Sequence, residues 1–170
     1  MDDYDALVEL DGGIDPVTSF GDRDALLAAV EDALLAGSPP RVLAVFDLAG
    51  LDEHRRINGL IASDQLVLRL ARRFADSLGA SARCFRSRSD EFWALVDGAF
   101  DETRPRLDRA LAVLREDGRT AEVRASFGVA FLPDEAEEPM EALMIADREL
   151  GVVRRARERR ASPRSITPSG

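Results

Sequence analysis

Lysine is absent from the 170 residues, so all 23 basic side chains are arginine. Any contact to phosphate must therefore come from a planar guanidinium and not from an ammonium point charge. Cysteine occurs once, at Cys84. No internal disulfide can form, and the cytoplasm is the default location. No apolar run reaches the length of a membrane-spanning helix. The opening Met1, Asp2, Asp3, Tyr4 and Asp5 are acidic, the opposite of a secretory n-region. Positive charge is also short: the net charge is −9. That excludes a general nucleic-acid coat binder, which needs a broad positive field.

What is present suits one globular domain, with 45% hydrophobic and 32% charged residues. Leu26, Leu27, Val30 and Leu34 form one helical stripe, stopped by Gly37 and Pro39–Pro40. Residues 42–48 (VLAVFDL) are an almost continuous apolar run, as in a strand buried on both faces. A polar, arginine-rich helix follows from Leu51 to Asn58, ending near Gly59. Ser63 is placed to cap a second helix striped by Leu66, Leu70, Phe74 and Leu78 and closed by Gly79. Residues 83–87 and 91–96 read as the strands of a hairpin with Arg88, Ser89 and Asp90 at its tip. Leu107, Leu111 and Leu114 mark a helix ended by Gly118. A strand over 123–131 and a helix from Pro139 to about Arg157 complete the domain. Residues 1–14 are read as a leader, 15–158 as the domain, and 159–170 as a disordered Pro/Ser-rich tail. The order of elements predicts an α/β (α+β) sandwich, with helices packing on one face of a mixed sheet.

Several segments, in order, resemble the GGDEF family of diguanylate cyclases. Residues 15–23, Asp15-Pro16-Val17-Thr18-Ser19-Phe20-Gly21-Asp22-Arg23, resemble its D-x-L-T-G-L-x-N-R opening. Asp47-Leu48-Ala49-Gly50-Leu51-Asp52 stands for D-[IL]-D-x-F-K. Arg88-Ser89-Asp90-Glu91-Phe92, preceded by Arg86, stands for the G-G-[DE]-E-F hairpin. Ser126-Phe127-Gly128-Val129-Ala130 and Ala146-Asp147-Arg148-Glu149-Leu150 match the late S-[IF]-G-[VI]-A and A-D-x-x-L stretches. The resemblance implies a nucleotidyl-cyclase-like palm: a central mixed, mostly antiparallel sheet with the signature β-hairpin, flanked by helices. It also implies a bacterial cyclic di-GMP signalling protein.

In that family two GTP molecules, one in each half of a homodimer, condense with the help of Mg²⁺ or Mn²⁺. By resemblance Asp47, Asp90 and the Leu48 carbonyl are the metal ligands, and Glu91 assists the nucleophile or the metal alongside Asp90. Without the family, Asp47 is a strand-end carboxylate and Asp90 a turn residue. Asp64 matches the aspartate that reads the guanine edge, although a carboxylate near a helix N-terminus is also favourable by itself. A gapless alignment sets Asp47 and Asp64 seventeen residues apart, as in the family, and puts Arg55, not Asn58, on the guanine-reading asparagine. Arg154 keeps the charge of a family lysine.

The departures are as informative. Arg88 and Ser89 replace glycines that let the hairpin approach phosphate; Arg88 either contacts phosphate or plugs the pocket. Asp52 replaces a phosphate-contacting lysine, and Glu158 replaces an arginine. The R-x-x-D product-inhibition site becomes Gly79-Ala80-Ser81-Ala82, so that site is absent; Arg73 and Asp76 share the spacing but are read as solvated surface. His54 and the Arg154–Arg160 cluster are read as solvent-facing, and Trp93 as core or interface. Three functions stay open: a degenerate domain binding GTP, cyclic di-GMP or a protein partner with little turnover; an active cyclase with a divergent pocket; and a dimerisation module with an empty site.

Overall fold

The computed structural model describes residues 13–118 and 121–161. In chain order the elements are α1 (Arg23–Leu34), β1 (Arg41–Ala49), α2 (Leu51–Leu78), β2 (Ala82–Arg88), β3 (Glu91–Asp97), α3 (Phe100–Val113), β4 (Glu116–Asp117), β5 (Glu122–Leu132) and α4 (Pro139–Ala161). The strands form one sheet in the order β2-β3-β1-β5-β4. Every ladder is antiparallel. The one parallel contact among the described residues is an isolated bridge between Gly21 and Phe85.

Strand β1 explains the layering. Val42, Ala44, Phe46 and Leu48 face one core, built with Leu66, Leu70 and Phe74 of α2 and Leu107 of α3. Leu43 and Val45 face the other, built with Leu26 and Val30 of α1 and Leu143 and Leu150 of α4. Helices therefore cover both faces, not one as the element order had suggested. The reason lies in β1 itself: a strand with no polar face strands apolar surface in water unless both sides are covered.

Aromatic rings knit the α2 side together. Phe46 packs edge-on to Phe74 at 4.9 Å and stacks on Phe127 at 5.2 Å, while Phe20 reaches Phe92 at 5.6 Å. The apolar stripes of α1, α2 and α3 pack as their spacing predicted. Asp22 caps α1, accepting from the N–H groups of Asp24 and Ala25.

Three local departures have simple causes. The two predicted helices over 51–78 are both present and meet at Gly59, whose φ of 84° and ψ of 172° suit glycine and no other residue cheaply, but the second resumes directly after that break. Ser63 consequently lies buried inside the continuing helix and not at its start. Strand β4 is two residues long, too short to leave a pattern. Helix α4 runs to Ala161, so residues 159–161 of the expected tail are helical, and 162–170 lie outside the described residues. The leader up to Gly12 also lies outside them. Among the described residues no helix is long and apolar enough to cross a membrane.

Helix α4 rides directly on the β5 backbone at Gly128. A Cβ there would fall 2.2 Å from the Leu150 nitrogen and 2.3 Å from the Ala146 carbonyl oxygen. Backbone cannot yield as a side chain does, so Gly128→Val is expected to cost about 3 kcal/mol by overpacking. A urea titration should show a lowered midpoint with an unchanged slope; an unaltered midpoint would mean that α4 is not seated there.

Candidate functional site

The site forms where β1 leaves the core. Asp47, the first charged residue after the apolar run, stands opposite Glu91 on β3 and Ser126 on β5. The next residue, Leu48, donates its N–H to the Asp90 carbonyl at 2.8 Å, which folds the hairpin tip back over the strand end. Because N–H and C=O of one residue point the same way in an antiparallel strand, the Leu48 carbonyl faces that tip as well.

A second set of bonds holds the hairpin from outside. The Arg86 guanidinium reaches both carboxylate oxygens of Asp15 at 3.2 Å and donates to the Ser89 carbonyl at 2.8 Å. Asp15 also accepts from the Thr18 N–H and hydroxyl at 2.8 and 2.7 Å. Burial pushes the Asp15 carboxyl up, but Thr18 and the Arg86 guanidinium outweigh it and hold the group below its ordinary value. Asp15 and Arg86 entered the sequence reading only as motif letters. Their shared work, tying the segment before α1 to the hairpin turn, links positions 71 apart in sequence and left no local signal.

Glu91 is buried, and its Oε1 is already taken. It accepts from the Ser87 hydroxyl at 2.5 Å and from the Trp93 indole N–H at 2.6 Å. The contact follows from strand geometry: Glu91 and Trp93 are two apart on β3 and share a face. Ser87 sits where the β2–β3 register shifts between Arg86 and Arg88. Trp93 is core, as expected, but it is also the partner of a site carboxylate. Arg23, Arg88, Met140 and Asp147 line a cavity of about 160 Å³ beside Glu91 and Trp93.

Asp47 lacks such support. Burial first, and then the neighbouring charges of Asp90, Glu91 and Asp147, push its carboxyl above the ordinary value; Arg154, 3.8 Å away and half exposed, opposes this only in part. Asp147 is a member of the group that the sequence reading quoted in a motif without assigning a role. Among the described residues, no three acidic, histidine or cysteine side chains are placed to hold a metal ion by themselves.

Of the candidate residues, Asp47, Asp90, Glu91 and the Leu48 backbone therefore converge, with Arg154 alongside. Arg88 and Ser89 are exposed at the tip. Asp64 and Arg55 stand on opposite sides of the Gly59 break in α2, Asp64 half-buried and Arg55 exposed, and neither forms an ion pair among the described residues. His54 is less open than expected, with a buried Nδ1. Arg73 pairs with Glu116 at 3.0 Å across exposed surface. The Cys84 thiol is pushed up to about 12 by burial and stays protonated at neutral pH, which removes it as a nucleophile.

A family model described as the GGDEF domain of diguanylate cyclases matches residues 13–160. No curated protein matches. Among solved structures, the FimX GGDEF domain from Pseudomonas aeruginosa is 26% identical with a TM-score of 0.75, covering 84% of this chain and 94% of that one. A microbial GGDEF domain described in a novel interaction mode with cyclic di-GMP is 27% identical with a TM-score of 0.69, covering 84% and 93%. The GGDEF domain of DgcB from Caulobacter crescentus, in complex with cyclic di-GMP, is 19% identical with a TM-score of 0.71, covering 88% and 94%.

The raised Asp47 carboxyl has a stability consequence. The folded state holds its proton more tightly than the unfolded chain, so ionising Asp47 costs stability. Asp47→Asn is expected to raise Tm at neutral pH. The gain should shrink as pH falls through the folded Asp47 value and vanish below the ordinary aspartate value of 3.8. Thermal melts across pH check this; a lower Tm for the variant at pH 7 would refute the charge crowding.

Proposed function

This chain belongs to the GGDEF domain family of diguanylate cyclases, and we propose that it binds a guanine nucleotide, GTP or cyclic di-GMP, with little or no turnover. The observation that carries this reading is the state of Glu91. Its Oε1 accepts from both Ser87 and Trp93, so that oxygen is tied into the fold and only Oε2 is left to activate a hydroxyl or meet a metal. The exposed Arg88 and Ser89 at the hairpin tip and the acidic Asp52 point the same way.

Binding, as distinct from turnover, is supported by the charge deficit at Asp47. A half-buried carboxylate crowded by three others is relieved by a cation. Asp47, Asp90 and the Leu48 carbonyl are hard oxygen donors suited to Mg²⁺ or Mn²⁺, and magnesium takes its remaining ligands from water and phosphate. The ion would supply the positive charge that a triphosphate needs next to this acidic group. In this reading Asp64 accepts from the guanine edge, Arg55 donates to it, and Arg154 and Arg88 meet phosphate. The cyclic di-GMP bound by the similar microbial GGDEF domain makes that dinucleotide a ligand to test beside GTP.

Calorimetry with GTP and cyclic di-GMP, with and without Mg²⁺, tests the binding. Asp64→Ala is expected to weaken it by about 1–3 kcal/mol through loss of a charge-assisted hydrogen bond. Incubation with GTP and Mg²⁺ or Mn²⁺, followed by chromatography, tests turnover. Cyclic dinucleotide that disappears with Asp90→Ala would establish an active cyclase instead. No binding of either nucleotide would leave an interaction module with an empty site.

A further inference from the structure

A groove of about 630 Å³ opens between α3 and α4 in front of the outer edge of β5, away from the carboxylates. Its apolar lining comes from Phe100 and Leu111 of α3, Phe127 and Val129 of β5, and Val153 of α4. The edge is open because β4 pairs only with Glu122 and Val123, although β5 continues to Leu132. Beyond that pairing, residues 125, 127, 129 and 131 aim their backbone groups away from β1. Arg157 donates to the Ala125 carbonyl at 3.3 Å, and Glu135 meets both outward groups of Phe131. Phe127 and Val129 are left with no strand opposite them among the described residues.

The two ends of the groove differ in charge. Gly128 lies against Leu150, and Ala125 against Arg157, so α4 runs antiparallel along β5. Glu149, the one acidic lining residue, therefore stands at the Val129 end, about 12 Å along the helix from Arg157. Arg104, Arg115 and Arg124 also line the groove, but each already rests on a carboxylate, of Asp108, Asp117 and Glu122 respectively. Arg157 has no carboxylate partner. A single nitrogen of its guanidinium meets the Ala125 carbonyl and the Ser126 hydroxyl, both at 3.3 Å. Its other donors are left for one anionic group.

These features define the chemistry of an occupant. One uncommitted guanidinium takes one carboxylate in a forked pair. An aliphatic chain would press hydrocarbon on the outward N–H and C=O groups of Phe127 and Val129 and leave them unpaired, which is costly. The occupant must therefore carry a polar group at its other end, where Val129 offers backbone and Glu149 accepts. The rings of Phe100 and Phe127 favour a flat aromatic body, and Arg104 already lies over the Phe100 ring at 5.5 Å. An added peptide strand suits the gap poorly, because Phe127 to Val129 spans only about 7 Å. We propose that this groove binds a small, flat, elongated aromatic hydroxy acid, its carboxylate on Arg157 and its hydroxyl at the end lined by Val129 and Glu149. Asp47, Asp90 and Glu91 do not line the groove, so the inference is independent of whether the nucleotide site is occupied.

Titration of the full chain with para-coumarate, without nucleotide, tests it by calorimetry and amide NMR. The expected result is saturable binding that shifts the Phe127 and Val129 amides. The neutral para-coumaramide should bind about tenfold more weakly, and cinnamate, which lacks the hydroxyl, about threefold more weakly. Arg157→Gln should abolish the preference for the acid over the amide and leave the affinity of the amide unchanged. Val153→Asp, at an exposed position, should weaken both compounds. A dispersed amide spectrum shows that each variant is folded, and the comparison of the three compounds needs no variant. Absence of binding, an acid that binds no better than its amide, an acid preference that survives Arg157→Gln, or binding without shifts at Phe127 and Val129 would overturn the proposal.

Discussion

Everything in this domain is arranged around the burial of β1 on four sides. It is paired along both edges and covered on both faces, and Val42 to Phe46 are removed from water almost completely. Such a strand has one place to carry charge, the point at which it emerges, and Asp47 stands there. The antiparallel register then brings Glu91 beside it, and the Leu48–Asp90 bond brings the hairpin tip over it. The carboxylate group is thus a consequence of sheet topology, held without any flexible loop. The same burial that fixes its geometry raises the cost of its charge.

The Asp15–Arg86 pair extends this logic outward. A surface ion pair contributes little, but this one is largely shielded and carries additional hydrogen bonds from Thr18 and to Ser89. It fixes the hairpin turn relative to the segment before α1, whose Gly21 also bonds to β2. The tip is consequently braced from two directions, by β1 beneath it and by Arg86 behind it. Bracing of this kind suits a site that presents backbone and carboxylate groups to a ligand in a preset geometry.

Elements with strong local patterns were legible from the sequence. The Leu66–Leu70–Phe74–Leu78 stripe, the β1 run and the 83–96 hairpin all emerged as read, because period and composition are properties of a few adjacent residues. The carboxylates that converge were legible through motif resemblance. What stayed hidden depends on contacts between distant segments or on backbone angles. The cover of both sheet faces and the pairing of Asp15 with Arg86 belong to that class. The bond from Trp93 to Glu91 is a different case. Its i, i+2 spacing on a strand was visible, yet an indole beside a carboxylate becomes a hydrogen bond only when both are shielded from water, and burial is not a local property.

Two features of the carboxylate group pull in opposite directions, and their combination separates this chain's chemistry from that of a fully equipped site. Glu91 has been drawn into the fold: indole and hydroxyl donors satisfy its inner oxygen, and the indole N–H also reaches the Ser87 hydroxyl at 3.0 Å. Asp47 has not been satisfied. Its one cationic neighbour, Arg154, is half exposed and at the limit of an ion pair, while three acids press on it. A site built only for structure would have neutralised Asp47 or replaced it, since selection for stability alone removes uncompensated buried charge. The crowded aspartate, kept beside a glutamate with one oxygen tied into the fold, is the pair of observations on which the proposed reading of binding without turnover rests.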